Sequence, residues 1–299
     1  MTTAPVNLLN LKPDEFEKFL DSFDHVFSDC DGVIWARQPF PGAGKFLDLM
    51  EKRGKTVNFV SNNSIRSREN YENQFKAAEI SNGFDRLIIP SVAIAEYLKS
   101  VNFDKKIYCI TCPETVRTLS SYGFKCEEGP DVGTDYYGDY VQYLKDDEAI
   151  GAVVFDSDFK VNLPKLYKAI TFLKRPEVLF INGATDRYFA IKKDLLALGV
   201  GVFTDLVEEE VKRKPLLLGK PGKMFGEFAM KKAGITDRKR VLFIGDMIEQ
   251  DVGLGKEMGF ITLLLLTNNT EQTMLSHDKI RPDYYADSLG SILPLLNSK

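Results

Sequence analysis

A chain of 299 residues is too long for one small core, so one large domain or two moderate ones are expected. A formal net charge of -4 gives no support to nucleic-acid binding by bulk electrostatics, and no apolar window approaches a membrane span, so neither nucleic acid nor membrane is an expected partner. Four cysteines (Cys30, Cys109, Cys112, Cys126) in so long a chain do not read as a disulfide framework, and residues 1–7 lack a basic-then-apolar leader, so the expected location is cytoplasmic.

The first strand signal is the apolar run His25–Ser28, which ends in Asp29-Cys30-Asp31-Gly32. On an extended backbone two acids one residue apart point to the same side, with Cα atoms roughly 7 Å apart, so one cation or one phosphate can engage both. Asp and Gly also close strands as Asx turns, and this segment alone leaves both readings open. Cys30, set between acids whose charge opposes thiolate formation, reads as a structural thiol. A helical pattern with Phe46, Leu47, Leu49 and Met50 follows, then the strand Thr56–Val60, which ends in Ser61-Asn62-Asn63-Ser64. A polar helix over 66–78 and an amphipathic one over 91–98 come next. Strands and helices in alternation predict an α/β fold with a doubly wound parallel sheet, its first part spanning residues 1–100.

A second alternating series starts near Lys105. It includes a strand over 152–155, the helix Leu163–Leu173 and a strand over 178–181, and it predicts an α/β domain inserted over residues 101–213. Cys109-Ile-Thr-Cys112 has the spacing of a metal or redox pair, but without a second pair or a nearby His it reads as a strand end. Over 214–299 the first sheet is expected to resume, beginning with Pro215-Leu-Leu-Leu. Then come the apolar strand Val241-Leu-Phe-Ile, ending in Gly245-Asp246, and a buried strand over 261–266. Gly253-Leu-Gly255-Lys-Glu-Met-Gly259 has one residue too many for a dinucleotide fingerprint and reads as helix packing.

Three strand ends therefore carry useful groups: Asp29 with Asp31, Ser61 with Asn62, and Asp246 with Asp251. In a doubly wound sheet such ends converge on one crevice. Clustered carboxylates repel one another, so a hard divalent cation is a natural filling, and Mg2+ favours one or two carboxylates together with phosphate and waters. Lys220, between Gly219 and Pro221, offers a fixed positive charge for an anionic ligand.

These motifs, in this order, resemble the haloacid dehalogenase-type (HAD) phosphatase superfamily: Asp29-Cys-Asp31-Gly-Val-Ile-Trp35, Phe59-Val-Ser61-Asn62-Asn63-Ser64, Gly219-Lys220-Pro221 and Gly245-Asp246-Met-Ile-Glu-Gln-Asp251. They are most similar to the branch of 4-nitrophenyl, phosphoglycolate and pyridoxal phosphate phosphatases, whose Rossmann-like core carries a large α/β cap of the C2 type between the second and third motifs. The resemblance implies a Mg2+-dependent phosphomonoesterase of small phosphorylated metabolites that works through an aspartyl-phosphate. It makes Asp29 the nucleophile and a metal ligand, and Asp31 the general acid and base with its backbone carbonyl on the metal. Asp246 completes the protein's metal ligands. Ser61, the Asn62 N–H and Lys220 would bind phosphate, Asp251 would hold a metal-bound water or Lys220, and Asn63 would order the loop.

Met247 and Glu249 depart from what is common in this branch, although Asp246 and Asp251 are kept. Asp186, Arg187 and Tyr188 fall where the family's substrate loop is expected, and Arg187 reads equally well as a surface residue. A homodimer through the cap is also implied. The alternatives are a pyridoxal phosphate or phosphoprotein phosphatase and, in a different class, a phospho-accepting regulatory module similar to a receiver domain. Receivers are much shorter and have no use for an acid two residues after the phosphorylated one.

Overall fold

The computed structural model describes residues 4–132, 136–192 and 195–296. Numbered along the chain, the strands are β1 (Val6–Asn7), β2 (His25–Ser28), β3 (Thr56–Val60), β4 (Leu87–Ile88), β5 (Lys106–Ile110), β6 (Lys125–Glu128) and β7 (Ile150–Phe155). They continue as β8 (Leu179–Asn182), β9 (Tyr188–Lys192), β10 (Leu195–Leu198), β11 (Leu216–Leu217), β12 (Val241–Gly245), β13 (Ile261–Leu265) and β14 (Tyr284–Ala286). Two compact units form: Met1–Ser61, Ser67–Ile88 and Gly226–Lys299 make the first, and Asn62–Arg66 and Ile89–Phe225 the second.

The first unit is built on a seven-stranded parallel sheet in the order β1-β14-β13-β12-β2-β3-β4. β2, β12 and β13 lie inside it and bury nearly every residue, so they read in sequence as unbroken apolar runs rather than as alternation. The helix Ala43–Lys52 buries Phe46, Leu47 and Met50, one stripe of a 3.6-residue period. Ser28 pairs with Phe59 on one side and Ile244 on the other, so the residues after all three strands leave the sheet at the same end. A Cβ on Gly255 would lie 2.3 Å from Thr262 Cγ2, which places that glycine-rich stretch in close helix packing.

The second unit holds a five-stranded parallel sheet, β11-β8-β7-β5-β6, and the antiparallel pair β9 and β10. Its core packs Phe155, Phe172, Phe180 and Tyr108, with the helix Leu163–Leu173 started by Asn162, whose side chain accepts from Lys165 N. The sequence reading has the first sheet resuming at Pro215, and here the structure differs. β11 pairs in parallel with β8, Leu216 opposite Ile181, and the first sheet resumes only at β12. A short run of leucines suits either sheet; the open edge of β8, where Leu218 N donates to Asn182 O (2.8 Å), decides the partner. Residues 90–100 and 214–225 thus pack with the second sheet, whereas the sequence reading groups them with the first.

Cys109 lies in β5 and Cys112 precedes the helix Pro113–Ser121, its thiol donating to Ser64 O, and all four cysteines are free thiols. The Cys-x-x-Cys spacing thus spans the end of β5 and the start of that helix. Among the described residues no helix is long and apolar enough to cross a membrane.

Candidate active site

The first unit gathers Asp29, Asp246 and Asp251. All three are buried, and a carboxylate oxygen from each lies within 4.8 Å of the others. Asp29 follows β2 and its N–H donates to Ile244 O (2.8 Å), which ties its position to β12 and to Asp246 two residues further on. Ser61, also buried, follows β3 next door, its N–H on Ile88 O (3.0 Å). The carboxylate of Asp31 is half-buried and does not belong to this trio.

Local chemistry explains how the acids are held. Asp251 leaves a π-helical turn, Ile248–Val252, and its Oδ2 accepts from the N–H groups of Asp246 (3.0 Å) and Met247 (2.9 Å). Such turns widen a helix by one residue and here bring the acid back against its own motif. Met247 and Glu249, the two departures from the family pattern, are exposed, while Asp246 and Asp251 are buried. Gly32 sits at φ +85°, and a Cβ there would lie 2.2 Å from Asp246 Oδ2. Only glycine lets the first loop lie this close to the fourth motif. The rest of that loop is pinned by Gly32 N on Trp35 O (2.7 Å) and by Trp35, fully buried and edge-on to Phe75 at 5.0 Å.

Three side chains that the sequence reading passed over join this unit. Thr267 Oγ1 donates to Gly32 O (2.6 Å), Asn268 Nδ2 to Asp246 Oδ2, and Asn269 Nδ2 to the Asp246 carbonyl. Their signal in sequence is a Thr-Asn-Asn run one residue after the buried strand β13, at the same sheet end as the acids.

The donor set suits a hard cation. Opposite oxygens of an octahedral Mg2+ lie about 4.2 Å apart at a bond length of about 2.1 Å. The three carboxylate oxygens lie within 4.8 Å of one another, and every donor is an oxygen. Asp29 and Asp246 are thus placed to hold a divalent cation, with Asp251 packed beside them and its Oδ2 on the N–H groups of Asp246 and Met247.

In the second unit Asn62 bonds at both ends of its amide. Its Oδ1 accepts from Lys220 N (2.7 Å), and its Nδ2 donates to Lys220 O (3.1 Å) and to Asp186 Oδ2 (3.2 Å). Thr185 Oγ1 also donates to Lys220 O (2.8 Å), and Lys220 is buried. The structure thereby brings together three residues that the sequence reading singled out, Asn62, Lys220 and Asp186. Asn63 Oδ1 accepts from Ile65 N (3.0 Å) and Arg66 N (3.3 Å). Arg187 pairs with Asp205, both half-exposed, and Tyr188 is exposed.

Beneath this loop Asp156 is fully buried, accepting from Thr115 Oγ1 (2.9 Å), Ser157 N (3.0 Å) and Ala184 N (3.2 Å). Burial pushes its carboxyl above the usual range, while hydrogen bonds from Ala184, Ser64, Ser157 and Thr115 oppose the rise. It links the stretch after β3 to the stretch after β8, and nothing in the local sequence announces it.

The chain is similar to known proteins over most of its length. Residues 26–125 match a family model described as haloacid dehalogenase-like hydrolase, and residues 217–292 match one described as HAD-hydrolase-like. Phosphoglycolate phosphatase 2 of Arabidopsis thaliana is 33% identical over 296 residues, covering 96% of this chain and 98% of its own. A 4-nitrophenylphosphatase of Schizosaccharomyces pombe is 29% identical, covering 94% and 96%. A solved structure of a p-nitrophenyl phosphatase from Archaeoglobus fulgidus superposes with a TM-score of 0.76 at 25% identity, over 91% of this chain and 99% of that one.

Proposed function

We propose that this chain, which belongs to the haloacid dehalogenase-like hydrolase family and is a phosphoric monoester hydrolase, is a Mg2+-dependent phosphatase of small phosphorylated metabolites that works through an aspartyl-phosphate on Asp29. The observation that carries this reading is the buried group of Asp29, Asp246 and Asp251. Asp29, Asp246 and the carbonyl of Asp31 would hold Mg2+, which when bound offsets the charge of carboxylates and phosphate alike.

On this reading a carboxylate oxygen of Asp29 attacks phosphorus in line and the ester oxygen leaves. Asp31 gives that oxygen a proton, then takes one from the water that cleaves the aspartyl-phosphate. Ser61, the Asn62 N–H and Lys220 stabilise charge on the transferred phosphoryl group. Asp251 steadies the motif through the N–H groups of Asp246 and Met247. Asp186, Arg187 and Tyr188 select the substrate, and 4-nitrophenyl phosphate and 2-phosphoglycolate are the first to test, since relatives carry those names. The enzyme acts in the cytoplasm, consistent with its free thiols, and forms a homodimer through the inserted domain.

The test is hydrolysis of 4-nitrophenyl phosphate with Mg2+ by the purified chain and by Asp29→Asn. The wild type turns over and traps a labile phosphoryl group in an acid quench, whereas Asp29→Asn does neither while keeping its circular dichroism. Substantial turnover by Asp29→Asn would refute the nucleophile, and a stable phosphoprotein without turnover would favour the regulatory-module reading.

A further inference from the structure

The turn after β13 aims three consecutive side chains at the two acid-bearing loops. Thr267 reaches the Gly32 carbonyl, Asn269 the Asp246 carbonyl, and Asn268 the Asp246 carboxylate itself. Asparagines in turns usually bond their own backbone two or three residues away. These bonds instead span 22 residues for Asn268, 23 for Asn269 and 235 for Thr267, so the turn is built to hold the loops.

We propose that Asn268 is a positioning residue for the metal ligand Asp246, with Thr267 and Asn269 fixing the turn that carries it. This rests on the metal-dependent reading above. An amide facing a carboxylate must present its N–H2 side, because its oxygen would be repelled. The donated bond engages Oδ2 and restricts rotation of the carboxyl group. A lysine or arginine in the same place would neutralise the carboxylate and compete with the ion; a neutral amide orients the ligand while preserving its charge. Partners of this kind, one bond removed from the metal, typically change metal affinity by about 10- to 100-fold when removed. β13 pairs with β12 in register, Leu264 opposite Gly245, so the turn and Asp246 leave adjacent strands and their spacing is set by the sheet.

The test reads metal binding without substrate. The metal-free full chain is titrated with Mn2+, and free ion is followed by its electron paramagnetic resonance signal, for wild type, Asn268→Ala and Asn268→Leu, the last retaining side-chain bulk. Both variants are expected to bind Mn2+ about tenfold more weakly than wild type, with the metal-free Tm lowered by no more than about 3 °C. A change in affinity below about threefold in both variants would overturn the role of Asn268 while leaving the metal-dependent reading intact. A fall in metal-free Tm above about 10 °C in both would assign Asn268 to the fold and also overturn it. Failure of the wild type to bind Mn2+ would overturn both this inference and the reading on which it rests.

Discussion

Replacing Gly32 by alanine combines two costs that can be separated. At φ +85° an L-residue is strained by about 1–2 kcal/mol whatever surrounds it. In addition the new Cβ would stand 2.2 Å from Asp246 Oδ2, against a floor of 3.0 Å for real Cβ contacts, so carboxylate or loop must give way by about 0.8 Å. A displacement near 1 Å in a catalytic group costs about a hundredfold in rate. Gly54 supplies the control, because its φ is +79° but a Cβ there meets nothing within 4 Å. Urea unfolding with 4-nitrophenyl phosphate turnover at saturating Mg2+ is the assay. Gly54→Ala should lose about 1–2 kcal/mol of stability and keep its activity, whereas Gly32→Ala should lose at least as much stability and about 99% of its kcat. Retention of more than about a third of kcat by Gly32→Ala, or an equal loss in Gly54→Ala, would refute the argument from contact with Asp246.

Chelation should abolish turnover reversibly, and Mg2+ at about 100 times its Kd should raise folding stability by about 2.7 kcal/mol, read as an increase in the urea midpoint. An unchanged midpoint with and without Mg2+ would exclude a cation at the buried trio. Asp156 predicts a pH dependence of defined sign. Its carboxyl is raised by burial, so the folded chain holds its proton more tightly than the unfolded one. Its contribution to stability is therefore fully present below the ordinary value of 3.8 and is lost as pH rises through the higher folded value. The stability of wild type minus that of Asp156→Asn should fall as pH rises from about 4 to about 7; a flat or rising difference would show that the group is not raised.

Much of this was legible because parallel strands buried on both faces leave a plain trace. β2, β12 and β13 read as apolar runs, and each ends in polar residues where the fold places its chemistry. The features that sequence does not mark depend on distant partners. The two residues of β11 contain nothing that chooses between two sheet edges, and the choice fell to an open strand in the other unit. Asn268 and Asp156 act through bonds to residues far along the chain, so their neighbours in sequence do not distinguish them from ordinary loop and strand-end polar residues. Asp251 reads as a supporting acid; a π-helical turn, for which its sequence carries no clear mark, brings it into the trio.

The order of strands in the first sheet also bears on how the protein is made. β2 lies between β3, which follows it within the same stretch of chain, and β12, which arrives only after the whole inserted unit. Asp24, just before β2, bonds Arg240, 216 residues later. On the ribosome, any early ladder of β2 with β3 keeps one apolar edge open until Val241 has emerged, and such an edge is a template for pairing with another chain. The inserted unit, whose strands are contiguous in synthesis, can close its own sheet first. Nascent chains halted between its last residues and β12 are therefore the species most in need of a chaperone.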